Sequence, residues 1–339
     1  MKISIIGAGY AGLALAIALK ELDPKLSITI FHRDPISASA SSISTGLLHP
    51  LAGKFARKSF AAEEGFNQTK GLLDLSEKML GQTVCQKGGM VRVANYPYQI
   101  GNYKRASRKH PINTWHEDGK AFHPDLDYPL LFSPEAITVY SDLYVEGLKI
   151  ACEKLGVSFK KQEVKSTDEL AFDRVVLCSG AGIVEFAEGK DLPVEKIKGQ
   201  ALILKYPKGF TPFPMSLLSK GHISLCKDPN YCQIGSTYEK NYSSPAPDEN
   251  ANTLVELIEQ FFPRIKEFEV VGAKAGIRLS RIESYLPIVA PMSKKVWVFG
   301  ALGSRGLIYH AYLADLLAKA MLFDQEIPER FTLAQNYCF

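Results

Sequence analysis

Within its first 22 residues the chain passes from a strand through a glycine turn into a helix, and this succession restricts its fold more than any other feature. Lys2-Ile3-Ser4-Ile5-Ile6 reads as a short buried strand. Gly7-Ala8-Gly9-Tyr10-Ala11-Gly12 follows at once, and Leu13 to Leu22 continues as an apolar helix. The G-x-G-x-x-G spacing carries meaning in this strand-to-helix setting. Gly7 permits the tight turn, Gly9 lets the backbone approach a pyrophosphate, and Gly12 lets helix and strand pack closely. Tyr10 and Ala11 belong to the same cradle, where the positive end of the helix dipole meets the phosphates. Met1 to Leu19 could also pass for a secretory leader cut at Ala14-Leu15-Ala16, but cleavage would delete the turn, so the segment is read as part of the fold.

The second strand, Leu26 to Phe31, arrives where a nucleotide-binding unit needs it. An acid about 20 residues past the last glycine usually accepts hydrogen bonds from the ribose. Here that position is His32, followed by Arg33 and Asp34, and both His32 and Asp34 are candidates for the ribose. A further strand, Phe172 to Cys178, ends in Ser179-Gly180-Ala181-Gly182, small residues suited to close backbone approach. Val157 to Val164 reads as a short strand pair whose end would flank the adenine.

A length of 339 residues with 46% hydrophobic and 22% charged side chains allows one large or two ordinary domains and excludes a disordered chain. The formal charge of +4 is too small to decide on nucleic acid. Cys85, Cys152, Cys178, Cys226, Cys232 and Cys338 show no CxxC spacing, so neither a metal site nor a disulfide framework is expected, and a reducing, cytoplasmic setting is. No stretch approaches the roughly 20 apolar residues of a membrane span.

Later segments choose among nucleotide cofactors. Ala38-Ser39-Ala40-Ser41-Ser42-Ile43-Ser44-Thr45-Gly46-Leu47-Leu48-His49-Pro50 follows the second strand. Gly276-Ile277-Arg278, Tyr285 to Pro291, the strand Val296 to Gly300 and Ala301-Leu302-Gly303-Ser304-Arg305-Gly306-Leu307 come near the end. In this order they resemble the FAD-dependent D-amino-acid-oxidase-like (DAO) superfamily, which includes glycine and sarcosine oxidases, over nearly the whole chain. Within it, Ala301 to Leu307 and Ile327-Pro328 are most similar to the FAD-dependent oxidase module of the MnmC-type bifunctional tRNA-modifying enzymes.

The resemblance implies an α/β fold, with a Rossmann-like FAD-binding domain in residues 1–85, 136–194 and 276–339. A mixed or antiparallel substrate sheet is inserted as residues 86–135 and 195–275. Gly88–Ala94 begins this insert, and Ile197–Tyr206 with His222–Ile234 reads as antiparallel strands joined by Pro, Gly and Asn turns. A helix at Asp142–Leu155 returns the chain to the FAD domain, and Asn250–Phe262 reads as another helix. One oxidase fold uses up the 339 residues, so no methyltransferase module is expected, and a separate methyltransferase is the implied partner.

The resemblance also assigns roles. Arg278 would fork onto a substrate carboxylate, with Arg281 the nearby alternative and Glu283 a structural partner. Gly303, Ser304, Arg305, Gly306 and Leu307 would meet the flavin pyrimidine, where Arg305 adds charge or holds the loop. Ser41, Ser42, Thr45, Gly46 and Leu47 would line the other approach, while Val164, Ser179 and Gly180 lie on the adenosine side. No cysteine near Arg278 offers a tether, so FAD is expected to bind non-covalently. No general base stands out, His49 reads as structural, and Tyr309 and His310 are placed facing the site.

The implied substrate is 5-carboxymethylaminomethyluridine, with or without a 2-thio group, at the tRNA wobble position, which would give aminomethyluridine and glyoxylate. Oxidation of glycine, sarcosine or a D-amino acid is the alternative. Contact with the tRNA anticodon region would fall to two basic clusters. One is Lys54, Arg57 and Lys58; the other is Lys104, Arg105, Arg108, Lys109 and His110 beside Tyr103 and Trp115.

Overall fold

The computed structural model describes residues 1–333 apart from Asp34 and Glu283, and leaves aside the side chain of Ser37. Among the described residues six α-helices alternate with two large sheets: α1 Tyr10–Leu22, α2 Ala62–Leu80, α3 Pro97–Lys109, α4 Ser141–Lys154, α5 Thr253–Glu259 and α6 Gly306–Phe323.

The nucleotide-side sheet has six strands in the order Ser158–Lys161, Ser27–His32, Lys2–Ile6, Arg174–Leu177, Val296–Gly300, Ile288–Pro291. The first five are parallel, and Ile288–Pro291 returns antiparallel along the edge. Ile5 lies between Ile30 and Val176, so three β-branched side chains align across the middle of the sheet. Its inner strands are buried on both faces, as a sheet covered on both sides requires.

The strand pair expected over Val157–Val164 is a single strand. Ser158–Lys161 pairs in parallel with Ser27–His32 and carries exposed lysines at the edge, and the Gln162 N–H then donates to the His32 carbonyl at 2.9 Å as the chain turns away.

Helices α1, α2, α4 and α6 cover one face of this sheet. α1 and α6 are apolar nearly all round and sit in the core, with Leu13, Leu15, Leu313 and Leu317 wholly buried. Among the described residues α6 alone is long and apolar enough to cross a membrane, with a mean hydropathy of 1.2, and 67% of that helix is buried inside the protein. α2 lies against α4 and α6 through Gly65, whose added Cβ would stand 1.9 Å from the Ile308 carbonyl oxygen.

The second sheet has eight strands, in the order Glu269–Arg281, Val194–Lys205, Tyr231–Gly235, His222–Leu225, Ser216–Leu218, Met90–Val93, Leu130–Ser133, Thr114–His116. One pair, Ser216–Leu218 with Met90–Val93, is parallel, and the others are antiparallel. Antiparallel strands joined by a turn are found over His222 to Ile234 as expected: Asp228-Pro229-Asn230 turns the chain between His222–Leu225 and Tyr231–Gly235. The helix read over Asn250–Phe262 shortens to α5 after a 3₁₀ turn at Glu249–Asn252. Behind this sheet Phe210, Phe213, Phe262 and Phe268 form an edge-to-face aromatic core.

The two sheets are joined by the long strand Glu269–Arg281. It pairs along most of its length with Val194–Lys205. Its last residues then reach the nucleotide side, where Ser280 bridges to Leu302 and the Leu279 carbonyl accepts from the Gly303 N–H at 2.9 Å. Arg278 thus stands where substrate sheet and nucleotide layer meet.

Candidate active site

Backbone conformation builds the nucleotide cradle first. Gly7 has φ +115°, a region closed to most L-residues, and donates its N–H to the Phe31 carbonyl at 2.8 Å. A Cβ on Gly7 would lie 2.4 Å from the Cys178 carbonyl oxygen, and one on Gly12 only 1.9 Å from the Gly7 oxygen. A Cβ on Gly9 would lie 2.9 Å from the Ser41 hydroxyl, which accepts from the Tyr10 N–H at 3.0 Å. The Ser179 hydroxyl is buried beside this turn with no hydrogen-bond partner in the protein. A backbone cradle at a helix N-terminus beside an orphaned hydroxyl fits a bound dinucleotide.

The remaining sequence-derived nucleotide residues cluster unevenly. The His32 ring lies 6.4 Å from Phe159, and Arg33 stands 3.8 Å from Glu163 and 3.7 Å from Glu185. Asp34 and Glu283 lie outside the described residues. Val164 is buried in an apolar cluster with Phe31 and Leu170, and Gly180, at φ +58°, opens the 3₁₀ turn Gly180–Glu185.

On the flavin side, Gly46 has φ +71°, and its carbonyl accepts from the Val139 N–H at 2.7 Å. That contact ties Gly46 and Leu47 to the strand Ile137–Val139. Ser44, unremarked in the sequence, links the Tyr10 hydroxyl at 3.2 Å to Ser141 at 2.7 Å. Ser42 turns the other way: its buried hydroxyl donates to the Ile36 carbonyl at 2.8 Å and closes its own loop. Gly303, at φ +52°, and exposed Ser304 lead into Arg305, the N-cap of α6, whose guanidinium lies 5.2 Å over Tyr285. Leu307 packs inward from the first turn.

Tyr309 and His310 do not face the site. Both are wholly buried, and Tyr309 donates to the Phe60 carbonyl at 2.8 Å. His310 Nδ1 lies 2.9 Å from the Gly306 carbonyl and must donate to it, so Nε2 accepts from the Tyr144 hydroxyl at 2.7 Å. The physical reason is helical phase: α6 turns both rings back into the protein, His310 against α1 and α4. Burial lowers the His310 pKa to about 4. Between pH 6.5 and 4 the unfolded chain therefore binds a proton that the folded chain does not, and this part of the stability is lost as pH falls through that window. His310→Gln, which keeps a donor and an acceptor, should flatten the fall in urea-unfolding free energy between pH 7 and 5 by about 2 kcal/mol. An unchanged slope would assign the acid sensitivity elsewhere.

Arg278 forms the centre of the substrate side. Its guanidinium lies across Gly199, where a Cβ would come within 2.4 Å of Nη2. Nη2 donates to the Thr237 carbonyl at 2.7 Å and Nη1 to Ser236 at 3.3 Å, while Nε is buried without a partner. Arg281 is directed elsewhere, donating to the Arg330 carbonyl at 3.2 Å.

His222, which the sequence reading passed over, belongs beside Arg278. Its Nε2 is 2.7 Å from the Thr45 hydroxyl, and burial, then the charge of Arg278, lowers its pKa to about 4. His49 is also held well below its ordinary value, by burial and then by Arg92, whose guanidinium donates to Nδ1 at 3.1 Å. His222 was hidden because its neighbours come from register: the strand pairing sets it opposite Gly235, whose missing side chain leaves room for the ring and for Thr45. Gly276 does the same for the preceding loop, since a Cβ there would lie 2.5 Å from Ile43.

A polar network fixes the segment that orients Arg278. Gln200 donates to Asp248 at 2.8 Å and to Glu239 at 2.9 Å, and receives the Asp248 N–H at 2.8 Å. Wholly buried Lys198 pairs with Asp248. The Gln200 N–H reaches the Thr237 hydroxyl at 2.9 Å, so this chain of contacts ends at the residue whose carbonyl holds Arg278.

The family model "FAD dependent oxidoreductase" (DAO) matches residues 2–320, a span that holds both the glycine cradle and the buried Arg278. The chain belongs to the DAO family. It is an FAD-dependent oxidoreductase. The protein is 23% identical to the tRNA 5-methylaminomethyl-2-thiouridine biosynthesis bifunctional protein MnmC of Leptospira borgpetersenii serovar Hardjo-bovis, over 98% of this chain and 59% of that one. It thus spans about 59% of the length of that curated relative. The structure of glycine oxidase from Geobacillus kaustophilus superimposes with a TM-score of 0.84 over 98% of both chains at 19% identity. Iminodiacetate oxidase from Chelativorans sp. BNC1 gives a TM-score of 0.80 at 17% identity, over 99% of this chain and 98% of that one. Among the described residues of this DAO-family enzyme no group of His, Cys, Asp or Glu is arranged to hold a metal, and the free cysteines Cys85, Cys152, Cys178 and Cys232 are buried.

Proposed function

We propose that the enzyme removes the carboxymethyl group from the side-chain amine of 5-carboxymethylaminomethyl-(2-thio)uridine at the tRNA wobble position, releasing glyoxylate and leaving aminomethyluridine. The observation that carries the reading is the buried Arg278, whose Nε–H has no partner in the protein. A carboxylate bridging Nε–H and an Nη–H satisfies it in the bidentate geometry that guanidinium favours. His222 stays uncharged at neutral pH, so the positive charge that meets the substrate is that of Arg278, and the carboxylate end is drawn to it. Thr45 and the Gly235–Thr237 segment then bound the adjoining amine and methylene.

FAD supplies the two-electron acceptor when bound, held non-covalently by the glycine cradle. The methylene gives up a hydride and the nitrogen a proton; one water then splits the resulting C=N bond into the primary amine and glyoxylate. In this reading the enzyme works in the cytoplasm, and a separate methyltransferase acts on the aminomethyl product.

Likeness to MnmC over nearly the whole chain favours the tRNA substrate. Glycine oxidase, alike in fold over 98% of both chains, favours a small amino acid instead. Anaerobic mixing with tRNA that carries carboxymethylaminomethyluridine should bleach the flavin and yield one glyoxylate per nucleoside converted. Flavin that stays oxidised with such tRNA but is reduced by glycine, sarcosine or a D-amino acid would establish the small-substrate reaction.

A further inference from the structure

Two basic segments far apart in the sequence meet in the fold. The hairpin formed by Leu51–Ala52 and Arg57–Lys58 carries Lys54 and Phe55 in its turn, and α3 carries Tyr98 near its start and Arg108 and Lys109 at its end. Lys58 and the residue after α3, His110, are close enough that the lysine charge, after burial, helps hold the histidine pKa below its ordinary value. Arg92 anchors the hairpin from beneath: its buried guanidinium donates to the Gly53 carbonyl at 3.2 Å and to the Leu51 carbonyl.

The surface that results alternates rings and cations. Phe55 meets Tyr98 edge-to-face at 6.1 Å, and Tyr98 stacks on Tyr96 at 5.7 Å with 26° between the planes. Lys54 and Arg57 lie 5.1 and 5.3 Å from the Phe55 ring, and Lys220 lies 4.1 Å over Tyr96. Tyr98 is 37% exposed. A pocket of about 230 Å³ runs from this hairpin to Arg305, lined by Lys54, Phe55, Arg57, Lys58 and Ser59 and by no acidic side chain. The platform therefore opens onto the N-cap of α6, on the flavin side of the site.

We propose that this surface docks the unpaired nucleotides that flank the modified base. In this arrangement bases stack on Phe55 and Tyr98, while Lys54 and Arg57 pair with the phosphates between them; Lys58 is already paired with Glu63. The assignment rests on the tRNA reading above. Positive charge alone would suit an acidic protein or an anionic membrane equally. A row of rings, Tyr98 exposed and Phe55 and Tyr96 half-buried, with cations at its edge matches single-stranded nucleic acid, in which every base has a face to stack and every linkage a charge.

The test uses the FAD-loaded enzyme and a fluorescent anticodon stem–loop RNA with an unmodified wobble uridine. Phe55→Ala/Tyr98→Ala should weaken binding roughly tenfold or more while leaving the salt dependence unchanged, since stacking releases no counterions. Lys54→Gln/Arg57→Gln should lower the slope of log K against log salt by about 1.4. Both variants should keep their FAD content and unfolding temperature. Wild-type RNA affinity in both variants, or no stem–loop binding by the wild type, overturns the platform. The partner class is overturned if polyglutamate or phosphatidylserine vesicles depend on Phe55 and Tyr98 while RNA does not. The two readings separate in flavin reduction by modified tRNA. Reduction with an unchanged KM in Phe55→Ala/Tyr98→Ala removes the platform and keeps the tRNA reaction. No reduction of the wild type by saturating, bound tRNA removes the reaction.

Discussion

Arg278→Lys is expected to lower kcat/KM for flavin reduction by an N-carboxymethyl amine by roughly 100-fold, the effect of breaking one buried charge-assisted pair. FAD content should stay at the wild-type level. Lysine keeps the charge but offers a single point of contact, whereas the guanidinium presents Nε–H and Nη–H in one plane. The site is shaped for that plane: Arg278 lies flat over Gly199, where any Cβ would collide with Nη2 at 2.4 Å, and its other donors reach Thr237 and Ser236. The lysine variant would leave the Thr237 carbonyl without its donor as well, so a loosened 236–239 segment adds to the loss in substrate affinity. Anaerobic stopped-flow reduction, read beside the flavin-to-protein absorbance ratio, separates substrate binding from cofactor retention. Equal loss of both would take Arg278 out of the substrate site and make it a structural residue of the long strand.

Different physical signals made different parts of this molecule readable. The glycine turn was legible because its constraints are local: a positive φ, a short buried strand just before it, and a helix that starts three residues on. The strand Val296–Gly300 was legible for the same reason. α2 was not, because its buried face consists of Ala62, Gly65, Phe66, Thr69, Leu73 and Ser76, four of the six small or polar. Those polar groups are accommodated by tertiary partners no local pattern announces: Thr69 donates to the Leu307 carbonyl at 2.7 Å and Ser76 to the Tyr144 carbonyl at 3.0 Å. α3 buries Gln99, Tyr103 and Ala106, and its basic residues read as a charge cluster before they read as a helix.

The candidate site divides along the same line. Arg278 was assigned its role through likeness to a family, and the structure shows its setting, a glycine floor beneath the guanidinium. His222 was missed because a single histidine on a strand carries no pattern; Gly235 and Thr45 reach it through sheet register and loop closure. Tyr309 and His310 were misplaced because closeness in sequence to the flavin loop says nothing of helical phase. The first turns of α6 direct them into the core.

Gly12→Ala should give a protein that purifies without flavin and unfolds at a markedly lower temperature. The new Cβ would stand 1.9 Å from the Gly7 carbonyl oxygen and 3.2 Å from the Ile5 side chain, and the first of these neighbours is backbone that cannot rotate away. Relief requires α1 to move off the Lys2–Ile6 strand. That opens the contact between Gly7 and Cys178 on which the turn is built, and it withdraws the helix N-terminus from the phosphates. Overpacking of this kind costs about 1–3 kcal/mol and more where the backbone must shift, and the loss of bound FAD removes a further stabilising term. Gly71→Ala provides the control. Gly71 lies on the exposed face of α2 with nothing within 4 Å of an added Cβ, so alanine there should raise stability by up to about 1 kcal/mol through helix propensity and leave flavin in place. Absorbance at the flavin band and thermal unfolding, measured on both variants with and without added FAD, give the answer. If Gly12→Ala binds FAD like the wild type, the turn at Gly7–Gly12 is a packing device and the dinucleotide lies elsewhere.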